Sequence, residues 1–172
     1  MVILVLKEQS NIKAPVCHQG KGMDDMERSS TIRGVVFDAI PPQQIRAAYN
    51  IIEKDLQKVI SRSYSDWIPA DVYSALRNGT SELVVAYKDE QYAGFLVLSI
   101  LNEFGGEKKL FVWVAYANPE YNVAEETFDF LDRVAKNSNL VAIEFDSSRS
   151  GWMRVAKQQG YRAITTTYRK EV

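Results

Sequence analysis

The chain has 172 residues, with 21 Lys and Arg against 22 Asp and Glu, a net charge of −1; hydrophobic residues make up 46% and aromatics 11%. These values suit one globular domain with a single core. The charge balance supplies no basic field for nucleic acid, and the longest apolar run, residues 110–117, is far short of the roughly 18–20 residues of a membrane-spanning helix.

The first six residues, Met1 to Leu6, are apolar, but no basic region precedes them and no small-residue cleavage site follows. They do not read as a secretory signal. The single thiol, Cys17, excludes an internal disulfide framework and agrees with the cytoplasm of a bacterial host. Residues 1–30 read as an N-terminal extension, rich in polar residues and interrupted by Pro15, Gly20 and Gly22. A segment of this texture orders against a protein partner or a second copy of the chain. Cys17 and His18 are adjacent and lack further ligands at metal spacing, so no metal site is expected. Residues 31–172 read as the folded domain.

Residues 31–40 (TIRGVVFDAI) are β-branched and aromatic and predict a strand, stopped by Pro41 and Pro42. Within 43–62, Ile45, Ala48, Ile52, Leu56 and Val59 fall on one helical face. A shorter helix is predicted over 69–78, with Pro69 at its start and Gly79 after it. Residues 83–87 and 92–101 predict a hairpin, and 110–117 a third strand after Gly105 and Gly106. Asn122 then begins a helix, with Glu125 three residues on in the pattern of a capping box. A strand over 140–145, a helix over 150–159 closed by Gly160, and a last strand over 161–168 complete the chain. The order is β-α-α-β-β-β-α-β-α-β, a mixed α/β (α+β) domain with a mostly antiparallel, splayed sheet flanked by helices.

This order, with residues 89–95 (DEQYAGF) and the pair Gly160-Tyr161, resembles the GNAT acyltransferase superfamily over about residues 31–170. Residues 147–161 (SSRSGWMRVAKQQGY) are similar to the short GNAT-like proteins of phages and prophages. The resemblance implies acetyl-CoA as acyl donor and an amine, on a small molecule or a protein, as acceptor. It implies that backbone groups of Val114, Ala115, Tyr116 and Ala117 grip the pantetheine arm. The pyrophosphate would lie against Asn122, Val123 and Ala124.

The chain departs from the family at three points. The family's pyrophosphate turn is glycine-rich, because small residues let backbone N–H groups approach the anion. Here the turn is Tyr121-Asn122-Val123-Ala124-Glu125-Glu126-Thr127-Phe128, with no glycine and two carboxylates. The family's frequent leaving-group tyrosine falls on Ala156, and its asparagine seven residues earlier on Arg149. Tyr116 is the replacement acid we select, Tyr168 being the other tyrosine considered. Glu144, late on an otherwise apolar strand, is the candidate base. Trp113, Asp146, Arg149 and Trp152 are the candidate substrate or partner cleft.

Two readings follow. One is an N-acetyltransferase-like protein with a degenerate pyrophosphate loop. The other is a catalytically inactive GNAT-like module, such as a phage virion or host-interaction component. An open, polar cleft between 110–117 and 140–145 favours the first, and a cleft filled by side chains favours the second.

Overall fold

The computed structural model describes residues 29–63, 66–147 and 151–170. Six strands form one sheet in sequential order: β1 (Ser29–Ile32), β2 (Val35–Ile40), β3 (Glu82–Lys88), β4 (Gln91–Asn102), β5 (Lys108–Ala117) and β6 (Ala142–Phe145). All neighbours are antiparallel except β5 and β6, which are parallel. Helices α1 (Ile45–Ile60) and α2 (Pro69–Asn78) cover one face, and α3 (Ala124–Asn137) and α4 (Gly151–Gln158) the other.

The predicted strand over 31–40 is a hairpin instead. Arg33 (φ 46°) and Gly34 (φ 83°) form a two-residue turn between β1 and β2. Positive φ at both central positions gives a turn whose twist matches that of paired strands. Asp89 (φ 50°) and Glu90 (φ 61°) make the same kind of turn between β3 and β4, where the hairpin was expected. The extension assigned to residues 1–30 lies outside the described residues up to residue 28, and Ser29 and Ser30 already belong to β1.

The central strands are buried on both sides, so their residues alternate between two cores. Leu83, Val85, Phe95, Val97 and Val114 pack beneath α1 and α2, with Ile52, Leu56, Val59, Val72 and Leu76. Val84, Ala86, Leu96, Leu98, Val112 and Ala115 pack on the α3 side with Phe130 and Leu131. Phe37 and Phe130 stack with centroids 4.4 Å apart. A strand enclosed on both faces reads as continuous apolar sequence, which is why 83–87 and 110–117 carry no polar alternation.

Two bulges set the course of β5. Between β3 and β4 the register passes from Ala86↔Gly94 to Tyr87↔Tyr92, so Ala93 is the additional residue. Between β4 and β5 it passes from Val97↔Val114 to Leu98↔Val112, with Trp113 added. A bulge bends its strand and increases local twist. The β5–β6 pairing ends at Val112↔Phe145, immediately before Trp113, while β5 itself continues through Ala117.

Gly94 permits this arrangement. Its φ is 152°, and a Cβ there would lie 2.2 Å from the Tyr116 carbonyl oxygen and 3.0 Å from Ala117 Cα. The obstruction is backbone, so no rotamer change relieves it. We expect Gly94→Ala to destabilise the protein by more than about 2 kcal/mol, combining strain at positive φ with a forced separation of β4 and β5. Urea unfolding of the two proteins checks this; an unchanged midpoint would contradict the close approach.

Candidate active site

Beyond Val112, β5 diverges from β6 and leaves the β6-facing edge of residues 114–117 without a strand among the described residues. The same bulge determines where the side chains go. Ala115 and Ala117 face α3, while Val114 and Tyr116 face α1 and α2. The predicted cofactor residues thus divide between the two faces of the strand. On the α3 side lies an apolar cavity of about 40 Å³, lined by residues 115–117, Val123, Ala124, Phe128, Phe145 and Trp152 among others. Asn122 does not line it. Trp113 belongs to the opposite side and meets Trp67 edge-on at 5.7 Å.

Aromatic side chains fill most of the divergence. Phe145 contacts Trp152 at 5.5 Å and Tyr161 at 5.2 Å, and Phe128 contacts the same two rings at 6.2 and 5.7 Å. Each such pair contributes about 0.5–1.5 kcal/mol beyond simple area burial. This space is far below the roughly 300–1,000 Å³ of a pocket that encloses a drug-sized ligand. A larger ligand therefore needs a side chain to move.

The helix after β5 starts differently from expectation. The N-cap of α3 is Val123, with no side-chain cap, so Asn122 and Glu125 do not form a capping box. Glu125 instead pairs with Arg33 of the β1–β2 turn at 3.1 Å, and Asp129 joins the same guanidinium at 3.1 Å. These pairs are exposed and stabilise little. Their effect here is electrostatic, because Arg33 offsets one of the two negative charges at the start of α3.

Glu144 is tied into a different ion pair. Its carboxylate lies 2.8 Å from Lys109 Nζ, which also bonds to Glu103. Hydrogen bonds to Glu103 and then Glu144 raise the Lys109 pKa. Glu144 alternates with Ile143 and Phe145, which pack on the α3 side, so it points to the opposite face. Its register partner is Phe111, five residues before Tyr116. At roughly 3.3 Å per residue that is about 16 Å along the strand. The structure does not bring the proposed base and acid together. Asp146 is exposed just past β6, and Arg149 lies outside the described residues.

Tyr116 has a more informative neighbour, Asp55, which the sequence reading passed over. Asp55 is 8% exposed on the inner face of α1, 2.8 Å from Lys58 Nζ. Lys58 sits 5.8 Å from the centre of the Tyr116 ring, and Tyr92 stacks on that ring with centroids 6.5 Å apart. Burial, and then the Asp55 carboxylate, push the Tyr116 and Tyr92 hydroxyls well above the ordinary phenol range. Both remain neutral donors at any working pH. Asp55 could have been found by its phase, three residues after Ile52 and four before Val59, both buried in α1. A carboxylate in that phase must be paired in a desolvated site. Among the described residues no group of three metal-ligating side chains occurs; Cys17 and His18 lie outside them.

The Tyr161 hydroxyl is buried with no hydrogen-bond partner among the described residues, and burial, with Asp132 adding repulsion, pushes its pKa up to about 12. Because the folded value exceeds the ordinary 10.0, this group's contribution is intact below pH 10. It is lost as pH rises through 12. We expect the urea midpoint to fall over that window, and Tyr161→Phe to shallow the fall. At neutral pH the same substitution should be neutral, or stabilise by up to about 1 kcal/mol, since it removes an unsatisfied buried hydroxyl. A clear loss of stability at pH 7 would mean that the hydroxyl has a partner.

No protein-family model and no curated protein matches this sequence. Solved structures do resemble it. A ribosomal-protein-alanine N-acetyltransferase from Brucella melitensis biovar Abortus 2308 superposes with a TM-score of 0.61 at 16% identity, covering 80% of this chain and 99% of the other. An aminoglycoside acetyltransferase from an uncultured soil metagenomic sample, in complex with sisomicin, gives 0.62 at 6% identity, with coverage of 81% and 97%. A predicted acetyltransferase with acetyl-CoA from Clostridium acetobutylicum gives 0.58 at 16% identity, with coverage of 80% and 96%. No helix among the described residues is long and apolar enough to cross a membrane. With its sequential six-stranded sheet and diverging parallel pair, the chain has the fold of the GNAT acetyltransferases.

Proposed function

We propose that the protein is a GNAT-type N-acyltransferase with acetyl-CoA as donor and an amine, on a small molecule or a protein, as acceptor. The observation that carries this reading is the bulge at Trp113, beyond which the edge of residues 114–117 has no strand beside it among the described residues, next to the start of α3. A strand edge offers alternating N–H and C=O groups to an extended, amide-bearing arm. The first N–H groups of α3 suit an anion, and Arg33, shared between Glu125 and Asp129, offsets part of the negative charge there.

The thioester donor supplies an acyl carbon open to attack by an amine. The chain's own contribution is binding and proton supply. Tyr116 holds a proton on its hydroxyl, kept there by burial and by Asp55; it would pass that proton to the departing sulfur and take back the one released by the acylated nitrogen, so that the phenol is restored. Asp55 positions that phenol from α1. Glu144, held by Lys109, contributes structure at the paired end of β6 and is not assigned the base in this scheme.

A second reading is favoured by the aromatic packing in the divergence. Phe128, Phe145, Trp152 and Tyr161 occupy the cleft, as expected of a GNAT-like module that binds a partner and performs no transfer. A phage virion or host-interaction component would be of this kind.

Calorimetric titration with acetyl-CoA, coenzyme A and desulfo-coenzyme A separates the two. The enzyme reading expects saturable binding, with Trp152→Ala strengthening it by making room. It also expects Tyr116→Phe to lower kcat by about 100-fold or more in an amine acylation assay, with binding unchanged. No heat and no thermal shift at saturating acetyl-CoA, in the wild type and in Trp152→Ala alike, would overturn it in favour of the module.

A further inference from the structure

Whether Tyr116 can part with its proton depends on what surrounds its oxygen afterwards. The residue is 5% exposed, and the elements packed about it each contribute a polar group. Helix α1 supplies Asp55 and Lys58, β4 supplies Tyr92, Arg62 follows α1 and Glu120 follows β5. Before the transfer these are two carboxylates and two cations, with both phenols neutral. Once Tyr116 is a phenolate, three anions face two cations in a site shielded from water, where unbalanced charge is costly.

The position of Lys58 answers that imbalance. Its ammonium lies 2.8 Å from Asp55 Oδ1 and 5.8 Å from the centre of the Tyr116 ring, so one cation both pairs with the carboxylate and overlies the phenol. The Lys58 side chain is half-buried, and charges in such a position are screened far less than exposed ones. Tyr92, stacked on the same ring, has a buried hydroxyl with no hydrogen-bond partner among the described residues; being neutral, it balances no charge. Burial and then Asp55 raise the Tyr116 pKa, while from the exposed rim Arg62 lowers it and Glu120 raises it, so these last two oppose each other.

We propose that Lys58 is the positioning residue that lets Tyr116 act as the acid: paired with Asp55, its ammonium offsets the carboxylate and balances the phenolate formed as the proton leaves. This rests on the acyltransferase reading, with Tyr116 as its acid. The transfer balances without a further reactant. The phenol O–H bond breaks and an S–H bond forms on the departing sulfur, Lys58 keeps its protons, and the proton released by the acylated nitrogen returns to the phenolate oxygen. Without the ammonium, Asp55 repels the phenolate unopposed. The phenol then holds its proton harder, and a weaker acid protonates the sulfur more slowly.

Tyr116→trifluorotyrosine installs a phenol that titrates below the other tyrosines, so its phenolate absorbance reads this one group in the full chain with no donor or acceptor added. Lys58→Met is expected to raise that midpoint by about one pH unit or more. With the natural tyrosine in place, the same change should lower kcat for amine acylation by about 30-fold and leave KM unchanged. Lys58→Arg should restore most of both. Lys54→Gln, exposed on the same helix one turn earlier, should alter neither. The kcat loss on Lys58→Met should shrink in the trifluorotyrosine protein, whose phenol is already the stronger acid; a merely structural role would cost both proteins equally. If Lys58→Met alone does not fold, because Asp55 is left buried and unpaired, the midpoint is compared between Asp55→Asn and Asp55→Asn with Lys58→Met, where the ammonium is again expected to lower it. A midpoint and kcat indifferent to Lys58→Met, in a protein whose wild type acylates amines, would overturn the proposal and leave the acyltransferase reading standing. A midpoint that responds in a protein whose wild type acylates no amine would overturn that reading, and the role of Lys58 in transfer with it.

Discussion

The contact on which the rest of this structure depends is the backbone approach of β4 to β5 at Gly94. With no side chain there, β4 lies against the Tyr116 carbonyl and Ala117. The additional residue at Trp113 then lets β5 turn while it stays bonded to β4. A strand cannot follow both neighbours through such a bend. It keeps its long antiparallel partner and leaves β6 after four register pairs. The divergence is thus a consequence of bulge geometry and needs no loop or ligand to hold it open.

That same bend gives the two faces of β5 different chemistry. Toward α1 and α2 the strand presents Tyr116 to a small polar cluster of Asp55, Lys58 and Tyr92 within an otherwise apolar core. A buried carboxylate is tolerated only when its partners replace water. Lys58, one turn along α1, meets that need with its ammonium while its stem covers apolar surface. Toward α3 and α4 the strand presents alanines, and aromatic rings from α3, β6, α4 and Tyr161 close over them. The polar face can supply a proton, and the apolar face governs admission. Acyl transfer needs both, whereas a binding module requires only the packing.

Much of the fold was legible in the residues. The helix beginning after Pro42 followed from its apolar phase, and the helix over 69–78 has the bounds of α2. The strands of the central meander came from β-branched runs between turn residues. Where the reading went astray, local pattern was asked to decide a non-local matter. Residues 31–40 look continuous because Arg33 is not a usual turn residue, yet Gly34 beside it suffices for a tight hairpin. Asn122 has the composition of a cap but sits one residue too early, and Glu125 is drawn to Arg33, distant in sequence. Residues 161–168 have every propensity of a strand yet pair with no strand among the described residues. Propensity describes what a segment suits, and pairing requires a partner at the right distance.

By itself the sequence determined the class of fold, the order of its elements between residues 43 and 159, and the location of the diverging strands. Periodicity, proline and glycine placement, and β-branched runs act within a few residues, and those interactions survive in a one-dimensional reading. The tertiary structure alone decided which side chains share a site. It separated Glu144 from Tyr116 by the register of β6 on β5 and set Asp55 against Tyr116 from a helix some sixty residues earlier. It also paired Glu125 with Arg33, from a turn near the start of the domain. Those pairings depend on distances across the sheet and between layers, which no spacing along the chain encodes.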